Sequence, residues 1–236
     1  MIMNGLMIPN HIAVILDGNR RWSKEHGLKP WEGHRHGSEK FDKFLDWCLE
    51  LNVPQVSAYV LSTENLNRPK REVLEILRLL KMQLDKFETE KAGLLDKYEV
   101  KVRFCGDLNR LPPDLVRVMK RIMKKTEKYS KKFLNILVAY GGRFELTEMV
   151  KRMVNVAIKS GRIQITEKSI EENLLISGDV DLVIRTGGMN RLSNLMPWQS
   201  TYAEIYTTET LWPDFTKKEL MKAIKWFNNM KRNFGR

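Results

Sequence analysis

Residues 11–27 read HIAVILDGNRRWSKEHG, and the fold turns on how the break at Asp17 is understood. The run at 12–16 (IAVIL) is apolar and rich in β-branched side chains, which favours a buried strand. It gives way abruptly to Asp17-Gly18-Asn19, a turn sequence, and then to Arg20, Arg21 and Trp22. Comparable runs recur at 56–61 (VSAYVL), 100–104 (VKVRF), 133–138 (FLNILV) and 180–184 (VDLVI), with a weaker one at 203–207 (AEIYT). Between most of them, apolar residues fall at helical spacing: Phe41, Phe44, Leu45, Cys48; Val73, Ile76, Leu77, Leu80, Leu84; Leu115, Val118, Met119, Ile122. This alternation predicts an α/β fold with a central, mostly parallel β-sheet flanked by helices, because parallel neighbours need a crossover long enough to hold a helix. In such sheets, ligands bind beyond the carboxyl ends of the strands.

Asp17 then stands where a ligand would. It is either part of a turn with a surface ion pair, or a carboxylate that holds magnesium while Arg20 and Arg21 take phosphate oxygens. Gly18 would let the backbone turn and approach a ligand closely. Other strand ends carry the same chemistry: Ser62 to Pro69 (STENLNRP), Tyr140-Gly141-Gly142-Arg143, and Arg185-Thr186-Gly187-Gly188 followed by Arg191-Leu192-Ser193-Asn194. Hydroxyls, exposed backbone amides and guanidiniums suit a diphosphate better than they suit a protein core. Glu204 is a carboxylate inside an apolar run, either an exposed strand position or a second metal ligand. On the helix at 71–89, Leu74, Leu79 and Met82 widen the apolar stripe, which predicts deep burial, a dimer contact or the wall of an apolar channel.

With 236 residues, 42% of them hydrophobic, the chain suffices for one domain over 1–236. The net charge of +12 predicts an anionic partner without naming it. Cys48 and Cys105 belong to no metal-ligand pattern and read as buried thiols in a reducing compartment. The first sixteen residues lack the basic start of a signal peptide, and Asn10-His11 interrupts them. Nothing approaches the length of a bilayer span, so the expected location is the cytoplasm.

Taken together, the blocks HIAVILDGNRRW, GHRHG, LSTENLNRPKREV, AYGGRFEL, DLVIRTGG, RLSN and WQSTYAEIYTTETLWPDF resemble the cis-prenyltransferases, whose best-known members are the undecaprenyl diphosphate synthases. The resemblance implies a single α/β domain with an apolar substrate tunnel between sheet and helices, usually in a homodimer. It implies a magnesium-dependent transfer joining an allylic prenyl diphosphate to isopentenyl diphosphate in cis geometry. By the same resemblance, Asp17 and Glu204 hold the metal, and Asp17, Ser62 and Asn65 are catalytic. Gly18, Asn19, Arg20, Arg21, Trp22, His34 and Arg68 bind the allylic substrate, and Arg185, Arg191 and Ser193 bind isopentenyl diphosphate. No DDxxD cluster, used by the unrelated trans-prenyltransferases, is present. The chain departs from the family's frequent residues at Pro30, Leu61, Leu66, Ala139 and Met189, which cluster where starter and acceptor are chosen. One or few additions, or transfer to another acceptor, is therefore the alternative reading. Leu79, Met82 and Phe133 are candidates for closing the tunnel.

A nucleic-acid-binding protein would also explain the charge, through basic helices at 117–132 and 217–236. Their charges alternate with Leu220, Ile224 and Phe227, as on a solvated outer face, so no nucleic acid is expected. The same charge would serve peripheral association with an anionic membrane. A partner-dependent subunit that has lost catalytic residues is disfavoured, because Asp17, Arg185, Arg191, Ser193 and Glu204 are all present.

Overall fold

In the computed structural model, residues 2–3, 5–162 and 164–230 are described; residues 231–236, the end of the expected helix at 217–236, lie outside them. The run that opens the sequence reading becomes strand β3 (His11–Ile15), preceded by a small antiparallel pair, β1 (Ile2–Met3) and β2 (Leu6–Met7). Helices α1 (Asn19–Glu25) and α2 (Pro30–Glu50) follow, then β4 (Gln55–Ser62), a 3₁₀ turn at Glu64–Asn67, α3 (Lys70–Glu88) and α4 (Ala92–Lys97). Next come β5 (Val100–Cys105), α5 (Pro113–Thr126), β6 (Lys132–Tyr140), α6 (Gly142–Ser160) and α7 (Glu167–Asn173). The described chain closes with β7 (Leu182–Arg185), β8 (Glu204–Thr207) and α8 (Lys217–Asn229).

The sheet is six-stranded and parallel throughout, in the order β5-β6-β4-β3-β7-β8. Both faces are covered, which is why β3 is buried at every position and reads as a continuous apolar run. Ile12 and Val14 face a core shared with α2, α3, α5 and α8. Ala13 and Ile15 face a second cluster with Val183, Leu137 and Leu195, beside which Met149 and Met153 of α6 pack.

Two local features bear on the site. Between β4 and β6 the register slips twice: Tyr59 pairs with Leu137, Leu61 with Val138 and Ser62 with Tyr140. Val60 is thus an extra residue on one strand and Ala139, at φ +49°, an extra residue on the other. The expected helix at 117–132 ends at Thr126, because Lys132 already pairs with Val100.

Candidate active site

The carboxyl ends of three strands stand level, since Ile15 pairs with Tyr59 on one side and Arg185 on the other. Asp17 follows β3 after Leu16. Gly18 then turns the chain at φ +115°, where a side chain would run into Leu211, and α1 begins with Asn19, Arg20 and Arg21. The Asp17 side chain is 30% exposed and lies between two guanidiniums: Oδ1 accepts from Arg21 Nη2 at 3.3 Å and Oδ2 from Arg185 Nη2 at 2.8 Å. Arg185 is buried, and its Nη1 donates to Ser193 Oγ at 2.8 Å and to the Arg191 carbonyl. One side chain thereby joins the ends of β3 and β7 to the loop at 187–196. Gly187 lies so close to Arg21 that a Cβ would overlap the guanidinium.

At the end of β4, Asn65 N donates to Ser62 Oγ at 3.1 Å and Ser62 N to Asn65 Oδ1 at 3.3 Å, a reciprocal turn that fixes both residues. Met189 brings its sulfur to 3.4 Å from Arg191 Nη1. A thioether carries no charge, so it leaves the arginine's charge available to an anion.

Sequence reasoning missed Glu72. This buried carboxylate in the first turn of α3 accepts from Arg68 Nη1 at 3.1 Å and meets His34 Nε2 at 3.3 Å and Arg20 Nε at 3.7 Å, all through Oε1. Burial, opposed by the bond to Glu72, lowers the pKa of His34. Glu72 thus gathers three residues assigned to the allylic substrate. The signal lay in its spacing: it shares the inward face of α3 with Ile76, Leu79 and Gln83.

Asp17, Gly18, Asn19, Arg20, Arg21, His34, Ser62, Asn65, Arg68, Arg185, Arg191 and Ser193 all line one cavity of about 900 Å³. Its other end is apolar, walled by Phe41, Ile76, Leu79, Leu80, Leu84, Phe87 and Ile136 between α2, α3 and the sheet. The channel-wall reading of α3 therefore holds for Leu79, whereas Leu74 and Met82 face outward. Phe133 lines a separate apolar cavity of about 50 Å³.

Two expected site residues lie elsewhere. Trp22 turns away from the cavity: its Nε1 donates to Asp214 Oδ1 at 2.9 Å, and its ring stacks on His26. Glu204 sits at the amino end of β8, opposite Leu182, while the functional level is at Arg185 and Thr207. Three residues at about 3.3 Å each put it about 10 Å below that level, so the chain does not bring it to Asp17.

Among the described residues no three His, Cys, Asp or Glu side chains converge as a metal cage. The donor set nonetheless fits magnesium, which keeps several waters and is held by one or two carboxylates together with substrate phosphates. Asp17 is such a carboxylate, open to the cavity and flanked by two arginines whose guanidiniums suit phosphate oxygens. No helix among the described residues is long and apolar enough to cross a membrane.

Comparison with known proteins agrees with this geometry. The undecaprenyl diphosphate synthase family model matches residues 15–235. A geranylgeranyl-diphosphate-specific tritrans,polycis-undecaprenyl-diphosphate synthase of Methanopyrus kandleri is 40% identical over 235 residues, covering 97% of this chain and 85% of that protein. An isoprenyl transferase of Aquifex pyrophilus is 40% identical over 233 residues, covering 98% and 97%. Lavandulyl diphosphate synthase from Lavandula x intermedia, crystallised with dimethylallyl diphosphate, superposes with a TM-score of 0.88 at 29% identity, covering 97% of this chain and 98% of that one.

Proposed function

The chain belongs to the undecaprenyl diphosphate synthase family of prenyl transferases, and from that premise we propose that it joins an allylic prenyl diphosphate to isopentenyl diphosphate in cis geometry, with magnesium, to make a polyprenyl diphosphate. The observation that carries this reading is the continuity of one cavity from a cationic end to an apolar bore, which suits a diphosphate head on a hydrocarbon tail.

Arg20, Arg21, Arg68 and His34, with the backbone at Gly18 and Asn19, hold the allylic diphosphate, and Glu72 sets three of those side chains. Arg185, Arg191 and Ser193 hold isopentenyl diphosphate. Asp17 would hold the magnesium, which, when bound, offsets negative charge on the departing diphosphate. The arginines act on the same charge by preorganisation: they are already fixed where it develops. Ser62 and Asn65 orient the reacting carbons, and the apolar bore keeps water from the carbocation. Glu204 is given no part in this arrangement within one chain.

A homodimer through the outer face of α6 is supported by Val150, Val154 and Ile158, apolar residues four apart and exposed. The net charge of +12 supports peripheral association with anionic membranes.

The test is incubation with labelled isopentenyl diphosphate and dimethylallyl, geranyl, farnesyl or geranylgeranyl diphosphate, with magnesium or a chelator. The expected result is a chelator-sensitive ladder ending in one polyprenyl diphosphate. Geranylgeranyl diphosphate, for which the Methanopyrus relative is named specific, is the first starter to try. Absence of condensation with every starter would overturn the reading, and a single addition would favour a short-chain enzyme.

A further inference from the structure

The loop that carries Arg191 and Ser193 has an unusual backbone. Ser193 and Asn194 lie in the left-handed region at φ +50° and +67°, followed by Met196 at +40°, and none is glycine. Such conformations persist only where the surroundings hold them, and they concentrate at functional sites. Asn194 supplies the hold. Its carbonyl accepts from Gly142 N at 2.7 Å, its Oδ1 accepts from Arg143 N at 2.9 Å, and its Nδ2 donates to Glu64 Oε1 at 3.1 Å.

The first two donors are amides at the start of α6, which no residue within a helix can satisfy. The preceding residue, Gly141, offers no capping side chain, and a Cβ there would crowd Asn194 and Thr63. The helix is therefore capped from the loop. Ser193 is fixed as a result: its Oγ accepts from Arg185 and its carbonyl accepts from Tyr59 Oη at 3.3 Å. The third bond leads to Glu64, which adjoins Asn65 in the chain.

We propose that Asn194 is a positioning residue of the acceptor site: it sets Arg191 and Ser193 for isopentenyl diphosphate and, through Glu64, ties their loop to the segment bearing Ser62 and Asn65. This rests on the assignment of Arg191 and Ser193 made under the proposed function. Asn194→Asp keeps the acceptor for Arg143 N but sets a second carboxylate against Glu64. Adding Glu64→Gln returns a hydrogen-bond donor to that contact with its direction reversed. Asn194→Gly tolerates the left-handed backbone and removes both side-chain bonds, so it guards against a variant that simply fails to fold.

Kinetics and calorimetric binding of isopentenyl diphosphate test the proposal. Either single variant should raise KM for isopentenyl diphosphate about tenfold, while KM for the allylic substrate changes less than about twofold. Glu64→Gln should recover most of the loss caused by Asn194→Asp. If the unaltered chain binds no isopentenyl diphosphate, the acceptor assignment falls and this inference with it. If that chain binds it and both variants bind within about twofold of it, the inference alone is overturned. A defect shared equally by both substrates and not rescued by Glu64→Gln would likewise overturn it, leaving Asn194 as a helix cap.

Discussion

His11 opens β3 with its ring sealed inside the sheet. Its Nδ1 donates to the Asp179 carbonyl at 3.1 Å, and its Nε2 accepts from the Ser57 hydroxyl at 2.7 Å, which in turn accepts from Asn135. Burial pushes its pKa from 6.5 down to about 4, against the bond to Asp179. Between those values the unfolded chain binds the extra proton, so the stabilisation is full above 6.5 and fades as pH falls toward 4, by up to about 3 kcal/mol. Urea unfolding at about pH 7.5 and about pH 4.5 should show a smaller acid loss for His11→Gln than for the unaltered chain. At Glu72 the concern is charge. Glu72→Gln leaves Arg20 and Arg68 without their shared counter-ion, and KM for the allylic substrate should rise about tenfold or more while that for isopentenyl diphosphate holds. These residues also mark what is legible in the sequence. Asp17, Ser62, Arg68, Arg185 and Ser193 can be read because they stand at strand ends or in the polar loops just beyond them. Glu72 hides among Lys70, Arg71 and Glu75, where any carboxylate looks solvated. Within one chain Glu204 lies apart from Asp17, which is not legible beforehand because a run of residues does not say which end of its strand meets the ligand.

The union of α1 and α2 depends on two glycines. Gly33 and Gly37, one helical turn apart, let α2 lie directly on Asn19: a Cβ at either would overlap that residue, and at Gly37 it would also press on Trp212. Gly37→Ala should cost about 1–3 kcal/mol by overpacking and should weaken allylic binding, since α1 carries Arg20 and Arg21; denaturant unfolding and KM check both. Elements with a full apolar period are legible beforehand, as for α2, α3 and all six strands of the sheet. On α6 the signal blurs, because Met149 and Met153 face inward while Val150, Val154 and Ile158 face outward. The end of α5 is invisible to periodicity, since what stops it is the pairing of Lys132 with a strand some thirty residues earlier.

For the whole molecule, the bore and the outer surface are the quantities to vary. Phe87 lines both the large cavity and the small apolar one behind it, toward α4. Phe87→Leu should open one into the other and shift products toward longer chains in the labelled-substrate assay; unchanged lengths would put the limit elsewhere in the bore. Val154→Glu places a charge on the exposed stripe of α6, and sedimentation should report a monomer where the unaltered chain sediments as a dimer.

The two register slips between β4 and β6 have a consequence for heredity. Because Val60 and Ala139 answer each other, Ser62 and Tyr140 return to step beyond them. Loss of the Val60 codon alone would turn Ser62 to the opposite face of the sheet and out of the cavity, and loss of the Ala139 codon alone would do the same to Tyr140. Descendants of this gene can shorten one strand here only by shortening the other in the same stroke. Length at this point is inherited as a pair.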